Sequence, residues 1–235
     1  MLIPLSFTAS AWKRCAKTDS KLDECLREAV HVAIKELSEK GAKDFGVFPI
    51  DPLFMSQVNI EQGRGPVAID LRFRDLNIHG LKNAKLIDVV KSDLDKYTFK
   101  TRVRVEEGVT LRGYYKVDGK VLVLPINGDG KCELSLANVT ADVELYGKEL
   151  IKDGQKYAQI ENFKFSLDTT RLRMQLDNLF NGNKELSTQM NKFLNENWSE
   201  ILQELKPAIQ DAFGSAFREI TNRIFIKVPY DNLFL

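Results

Sequence analysis

Leu22, Leu26, Ala29/Val30, Ala33/Ile34 and Leu37 recur at helical spacing with Lys, Arg and Glu between them, which predicts an amphipathic helix over roughly 20–40. Ser20-x-x-Asp23 resembles a capping box before it, and Gly41 is a natural stop after it. From about residue 57 to 177 the period becomes two, the signature of half-buried strands. Val67, Ile69, Leu71 and Phe73 alternate with Asp70, Arg72 and Arg74; Tyr97, Phe99, Thr101, Val103 and Val105 alternate with Thr98, Lys100, Arg102 and Arg104. Val109 to Val117, Cys132 to Leu136, Val139 to Leu145, Phe163 to Leu167 and Leu172 to Leu176 follow the same rule. Asp118-Gly119, Gly128-Asp129-Gly130 and Asp153-Gly154 read as hairpin turns. The runs 66–79 and 131–147 are long for strands, and the frame slip near Asn138 reads as a β-bulge that bends its strand.

Long antiparallel strands with one apolar and one charged face make a strongly curved sheet, whose concave side needs an apolar cover. Two C-terminal helical patterns supply it: Leu186, Met190, Phe193/Leu194, Ile201 and Leu205, widened by Trp198 and Leu202, then Ile209, Ala212/Phe213, Phe217, Ile220 and Ile224. Pro207 between them interrupts the helix or starts a new turn. No low-complexity linker or internal repeat divides the chain, so residues 12–235 read as one α+β domain. Met1 to Ala11 are apolar and then small, and Ala9-Ser10-Ala11 fits the small-x-small rule for signal-peptidase cleavage. Residues 1–11 are therefore expected to be a signal-peptide remnant and the protein to be secreted.

Composition narrows the function. A formal net charge of +1 lacks the basic excess that nucleic-acid binding needs, and Arg72, Arg74, Lys100, Arg102 and Arg104 sit where the wet face of a sheet places them. The chain has 2 histidines, His31 and His79, and 3 cysteines, at spacings that fit no zinc pattern. Cys15 and Cys25, if paired, close a short loop worth about 2.5–3 kcal/mol in the chain-entropy model, and export favours that pairing. Cys132 reads as a small buried apolar residue. Gly63-Arg64-Gly65-Pro66-Val67-Ala68 has the letters of a dinucleotide fingerprint, but a strand pattern follows where a helix is required. Asn127-Gly128-Asp129-Gly130 lacks the later ligands of a calcium loop. No nucleophile elbow or phosphate loop occurs. The chain therefore reads as a non-enzyme with no catalytic residue, cofactor or metal. Asn138-Val139-Thr140 and Asn197-Trp198-Ser199 are glycosylation patterns, with Asn138 the better placed.

Several stretches together resemble the takeout and haemolymph juvenile-hormone-binding protein family of insects. They are Lys13-Arg14-Cys15 through Asp23-Glu24-Cys25-Leu26; Ile50-Asp51-Pro52-Leu53 with Leu76-Asn77-Ile78-His79-Gly80-Leu81; Gly113-Tyr114-Tyr115 with Leu122-Val123-Leu124-Pro125-Ile126-Asn127-Gly128; Asn178-Leu179-Phe180-Asn181-Gly182-Asn183 running to Trp198; and Val228-Pro229-Tyr230-Asp231-Asn232-Leu233-Phe234. The resemblance implies an elongated α/β-wrap, a curved antiparallel sheet rolled around a long helix, with an apolar tunnel for a lipophilic ligand. The hormone-binding branch carries a second disulfide that Cys132 alone cannot form, and the tail is more similar to the takeout branch. Juvenile hormone itself is thereby put in question as the ligand.

The implied function is a monomeric secreted carrier of a fatty-acid-, terpenoid- or juvenile-hormone-like molecule. An interaction protein that engages a receptor or a membrane through the same scaffold is the competing reading. Strand and helix phase nominate Phe73, Phe99, Val103, Leu111, Tyr115, Leu134, Leu136, Phe165, Met174, Phe193 and Trp198 as tunnel lining. An ordinary core fits the same phase at each of them. Tyr115, Tyr157 and the Trp198 indole are candidate donors to a polar head.

Overall fold

The computed structural model describes residues 12–235; the signal-peptide reading concerns residues outside that range. Helix α1 spans Leu22–Glu39 and ends at Gly41, whose φ of +66 suits a helix stop. Ser20 and Asp23 form no capping box. Lys21 stands at the N-cap without a side-chain bond, and Asp19 instead accepts from the Lys21 and Leu22 N–H groups in a local turn.

The strands are β1 (Leu53–Gln62), β2 (Val67–His79), β3 (Lys85–Asp93), β4 (Thr98–Val105), β5 (Val109–Val121), β6 (Leu124–Ala137), β7 (Val139–Lys152), β8 (Gln155–Asp168) and β9 (Arg171–Leu176). They form two antiparallel sheets in the orders β1-β2-β5-β6-β9 and β3-β4-β7-β8. The chain passes from one sheet to the other four times: between β2 and β3, β4 and β5, β6 and β7, and β8 and β9. The frame slip at Asn138 is one of these passages, not a bulge. Asn138 takes φ +46 and the strand changes sheets there. Register shifts occur instead between Arg74 and Asn77 in β2, twice in β3 (Leu86/Asp88 and Val89/Lys91), and between Tyr146 and Gly147 in β7.

The passages stack on one another. A Cβ on Gly80 would lie 2.5 Å from the Gly108 carbonyl oxygen, and one on Gly108 would lie 2.3 Å from that of Leu136. The Ala137 carbonyl in turn accepts from the Thr169 hydroxyl at 2.6 Å and the Thr170 N–H at 3.1 Å. Gly80 and Gly108 also hold φ of +99 and +84, so a side chain at either would be strained twice over. Ala84, Val105 and Val139 fill the crossing from inside.

Two of the three glycine turn signals mark close approach rather than turns. Asp118-Gly119 lies within β5, and Gly128-Asp129-Gly130 within β6. A Cβ on Gly119 would meet the Ala68 carbonyl at 2.3 Å, and one on Gly130 the Asp177 carbonyl at 2.3 Å. The true hairpin is at Leu122-Val123, inside the apolar run Val121–Ile126. Asp153-Gly154 is a turn as expected, with φ of +49 and +74.

Helix α2 (Lys184–Glu196) is capped by Asn183, which accepts from the Leu186 N–H, and α3 (Trp198–Phe225) follows after a break at Asn197. Pro207 neither interrupts nor restarts α3. It and Gln203, whose carbonyl loses its helical donor, are both exposed, so water can reach the orphan group. At 28 residues, α3 is about 42 Å long. Among the described residues no helix is long and apolar enough to cross a membrane.

Helices α2 and α3 seal two of the four sheet edges, those of β9 and β8. The Leu176 N–H donates to Asn191 Oδ1 and Asn191 Nδ2 donates to the Leu176 carbonyl, both at 2.9 Å. Asn195 treats Met174 likewise at 2.9 and 2.7 Å, and Asn222 treats Ile160 at 2.8 and 2.8 Å. Four residues of helix and two of strand each advance roughly 6–7 Å, so consecutive turns of α2 meet consecutive outward groups of β9. Gly214 lets α3 reach β8, since a Cβ there would lie 2.7 Å from the Phe163 carbonyl.

At the far end of the four-stranded sheet, the Cys15–Cys25 disulfide forms and the C-terminal tail lies beside it. The Leu235 N–H donates to the Cys15 carbonyl, and Tyr230 donates its hydroxyl to the Leu94 carbonyl at 2.6 Å.

Replacing Asn222 or Asn195 by Leu keeps the branched shape but strips a partly buried N–H and C=O of their partners. Each change should lower unfolding free energy by about 2–3 kcal/mol. Urea unfolding should show a lower midpoint with an unchanged m-value; a midpoint equal to the parent's would refute the edge-sealing role.

Candidate ligand-binding interior

The inward face of the four-stranded sheet follows from register. Phe99, Thr101 and Val103 of β4 pair with Leu145, Val143 and Ala141 of β7. These pair onward with Phe163, Phe165 and Leu167 of β8. Phe217 of α3 closes the row, with its ring 5.4 Å from that of Phe165 and 5.7 Å from that of Phe163. The opposite face is charged and internally paired. Lys100 meets Glu144 at 3.0 Å, and Arg102 meets Asp142 at 2.7 Å. Tyr146 donates to Glu144, and the ammonium groups of Lys100 and Lys164 lie 5.2 and 5.3 Å from the Tyr146 ring centre. The Tyr146 and Lys100 bonds hold the Glu144 carboxyl below its usual range.

The nominated residues divide into two groups. Phe73, Leu111 and Tyr115 are buried in the principal core. Tyr115 is 0% exposed and donates its hydroxyl to the Asp177 carbonyl at 2.7 Å. Burial pushes its pKa up, and the ring braces β5 against the segment after β9 rather than facing open space. Phe99, Val103, Leu134, Leu136, Phe165, Met174, Phe193 and Trp198 are half-buried. Leu134, Leu136, Phe165, Met174 and Phe193 pack against the principal core while keeping accessible surface. Leu134 pairs with Met174 across β6 and β9, and Val103 and Leu136 meet the Ala84-Val105-Val139 cluster. Trp198 carries the Arg171 guanidinium 5.7 Å above its ring. Tyr157 donates to Gln155 at 3.1 Å.

Thr101, in phase between Phe99 and Val103, is 5% exposed and donates its hydroxyl to the Asp88 carbonyl at 2.6 Å.

Two clefts flank α3. One of about 540 Å³ has Phe163, Phe165 and Gly214 beside Asp142, Lys164 and Gln210. The other, about 950 Å³, lies between the edges of β1 and β8, against Ala212, Ala216 and Asn222. Among the described residues no group of three or more His, Cys, Asp or Glu could hold a metal ion. His31 is exposed, and Asn138 is exposed at the crossing between the sheets.

A family model described as Haemolymph juvenile hormone binding protein matches residues 4–235. The circadian clock-controlled protein daywake of Drosophila melanogaster is 28% identical, over 96% of this chain and 87% of its own length. A protein of Schistocerca gregaria named as a putative beta-carotene-binding protein is 25% identical, over 89% of this chain and 82% of its own length. The crystal structure of Epiphyas postvittana Takeout 1 superposes with a TM-score of 0.78 at 27% identity, covering 94% of this chain and 99% of that one. The α/β-wrap is thus a fold already seen in solved form.

Cys132 is free and buried, and burial pushes its thiol from an ordinary value of 9.0 up to about 11. The folded state therefore keeps a proton that the unfolded state surrenders between those values. That contribution is intact below pH 9 and is lost as pH rises toward 11. Urea midpoints should hold steady to about pH 9 and then fall, and Cys132→Ala should make the fall shallower. An identical decline in Cys132→Ala would remove the thiol from this account.

Proposed function

We propose that the chain, which belongs to the haemolymph juvenile hormone binding protein family, is a secreted monomeric carrier that holds a hydrophobic small molecule between its rolled sheets and α3 and performs no chemistry on it. One observation supports this above the others: Leu134, Leu136, Phe165, Met174 and Phe193 turn toward the core and still keep accessible apolar surface. Such surface costs about 25 cal/mol per Å² while it faces water, and an apolar guest recovers that cost. The name of the Schistocerca gregaria relative, a putative beta-carotene-binding protein, agrees with a long apolar cargo. Secretion accords with the family and with the Cys15–Cys25 disulfide. Exposed Asn138 is the proposed glycosylation acceptor.

A second reading, contact with a membrane or receptor, draws on the β5–β6 hairpin tip. Val123 is 83% exposed there, beside the exposed Leu124.

The carrier reading is tested with the neutral fluorophore N-phenyl-1-naphthylamine. Val103→Trp and Leu136→Trp should each weaken its binding at least tenfold while the far-ultraviolet circular dichroism stays native. Unchanged affinity in both variants would sink the assignment of the interior as the binding site.

A further inference from the structure

We propose that the β5–β6 hairpin tip docks on a lipid bilayer that carries anionic headgroups: Val123 and Leu124 enter the headgroup region, and Arg64 and Lys120 stand at the level of the phosphates. This deepens the membrane reading of that tip and is independent of the carrier reading.

The register sets the tip out in bands. Val67, Val121 and Leu124 share the outermost paired row. Beyond it stand Leu122 and Val123, and beside them the exposed connection Gly63-Arg64-Gly65-Pro66 that joins β1 to β2. Val123, Leu124, Pro125 and Pro66 are all exposed, so the extremity is apolar. One row inward, exposed Lys120 pairs with Ala68 and Pro125. Glu204 of α3 brings one acidic group to this level, its Oε2 3.1 Å from where a Cβ on Gly65 would stand. Glu61, Asp70 and Asp118 then form an acidic row, three residues in from Val121 and so about 10 Å along the strand.

An apolar end, then cations, then acids is the order in which a bilayer surface accepts a protein: the acyl boundary deepest, phosphates next, water last. An interfacial segment buries its apolar face roughly 5–10 Å deep, and the tip offers about that height before its acidic row.

Turn chemistry separates this tip from the β7–β8 hairpin. That one turns on Asp153-Gly154, residues suited to positive φ. The lysines beside its exposed Ile151 are committed: Lys152 donates to the Ile226 carbonyl at 3.2 Å, and Lys156 meets Glu149 at 2.8 Å. The β5–β6 hairpin turns instead on Leu122-Val123. Leu122 holds φ +55, costly for a bulky side chain, and packs on the principal core. Val123 stays 83% exposed, in a place where a small polar residue suits the turn better. Folding gives no reason for a valine there. A lipid surface gives one, because it takes that apolar area out of water.

The full chain is floated with phosphatidylcholine vesicles, with and without phosphatidylserine. The parent should bind both and prefer the anionic ones. Val123→Asp should lower binding to both by about tenfold while the far-ultraviolet circular dichroism stays native. Val123→Trp should raise binding, and vesicles should shift its emission to the blue beyond the response of the parent's own tryptophans. Arg64→Gln and Lys120→Gln should each cost about fivefold on anionic vesicles, the worth of one basic residue near such a surface, and leave neutral vesicles unmoved. Added salt should erase the anionic preference. Ile151→Asp should bind like the parent. Unchanged binding in Val123→Asp, or an equal loss in Ile151→Asp, overturns the tip as the contact and leaves the membrane reading standing. Parent-like binding of both glutamine variants to anionic vesicles overturns the role of Arg64 and Lys120. A parent that floats with neither vesicle overturns the proposal and the membrane reading together, while the carrier reading, tested with the fluorophore, is untouched.

Discussion

Two antiparallel sheets that do not close have four edges, and each presents backbone groups that must find partners. Here the outer edges of β9 and β8 are met by asparagine side chains from helices: Asn191 and Asn195 on one, Asn222 on the other. A side-chain amide carries a donor and an acceptor at nearly the spacing of a peptide group, so each asparagine substitutes for one rung of a missing strand. This fixes where α2 and α3 sit relative to the wall, and it does so by polar bonds at the rim. A helix held at its rim does not need every apolar side chain on its inner side in tight contact to stay in place. That separation between what positions α3 and what lines it gives a wrap fold the means to keep internal space without becoming loose.

The second constraint is the crossing region, where four passages between sheets stack with backbones in near contact. Gly80 and Gly108 permit it because each has both a left-handed φ and a carbonyl within the reach of any Cβ. The crossing is solid, with Ala84, Val105 and Val139 buried. Neither cleft beside α3 is lined by these three residues. Val103 and Leu136 stand at the transition, packed on this cluster yet half-buried.

The fold class was legible because period-two alternation over long runs leaves few alternatives to a one-sided sheet, and the apolar C-terminal helices had nowhere else to go. What was not legible shares one cause: the same residue type answers different physical demands. Glycine beside aspartate marks a turn at Asp153-Gly154 but a close strand approach at Asp118-Gly119, where Ala68 on β2 sets the limit. The slip at Asn138 looked like one bent strand because sequence does not reveal that the partners change from β5 and β9 to β4 and β8. The interior was legible only as phase. Phe73 and Leu134 occupy equivalent inward positions, yet one is fully packed and the other half-buried, because burial depends on what the opposite wall provides.

The two ends of the molecule are held differently. At the end of the four-stranded sheet, Tyr230 is buried against Tyr97 and Phe234, with ring centres 4.7 and 5.0 Å away, and the Lys17 ammonium lies over both Tyr230 and Phe234. The Cys15–Cys25 disulfide anchors the segment that carries Lys17, and the Cys15 carbonyl holds the Leu235 N–H. Several weak contacts there act on one short tail, so loosening any of them requires the others to yield together. The opposite end carries the β5–β6 hairpin, whose tip leaves Val123 in solvent with no such cover. Exposed apolar residues stand at both ends, Val123 at this tip and Ile151 and Leu235 near the tail, so the ends differ in the cross-link and its aromatic cover and not in apolar exposure.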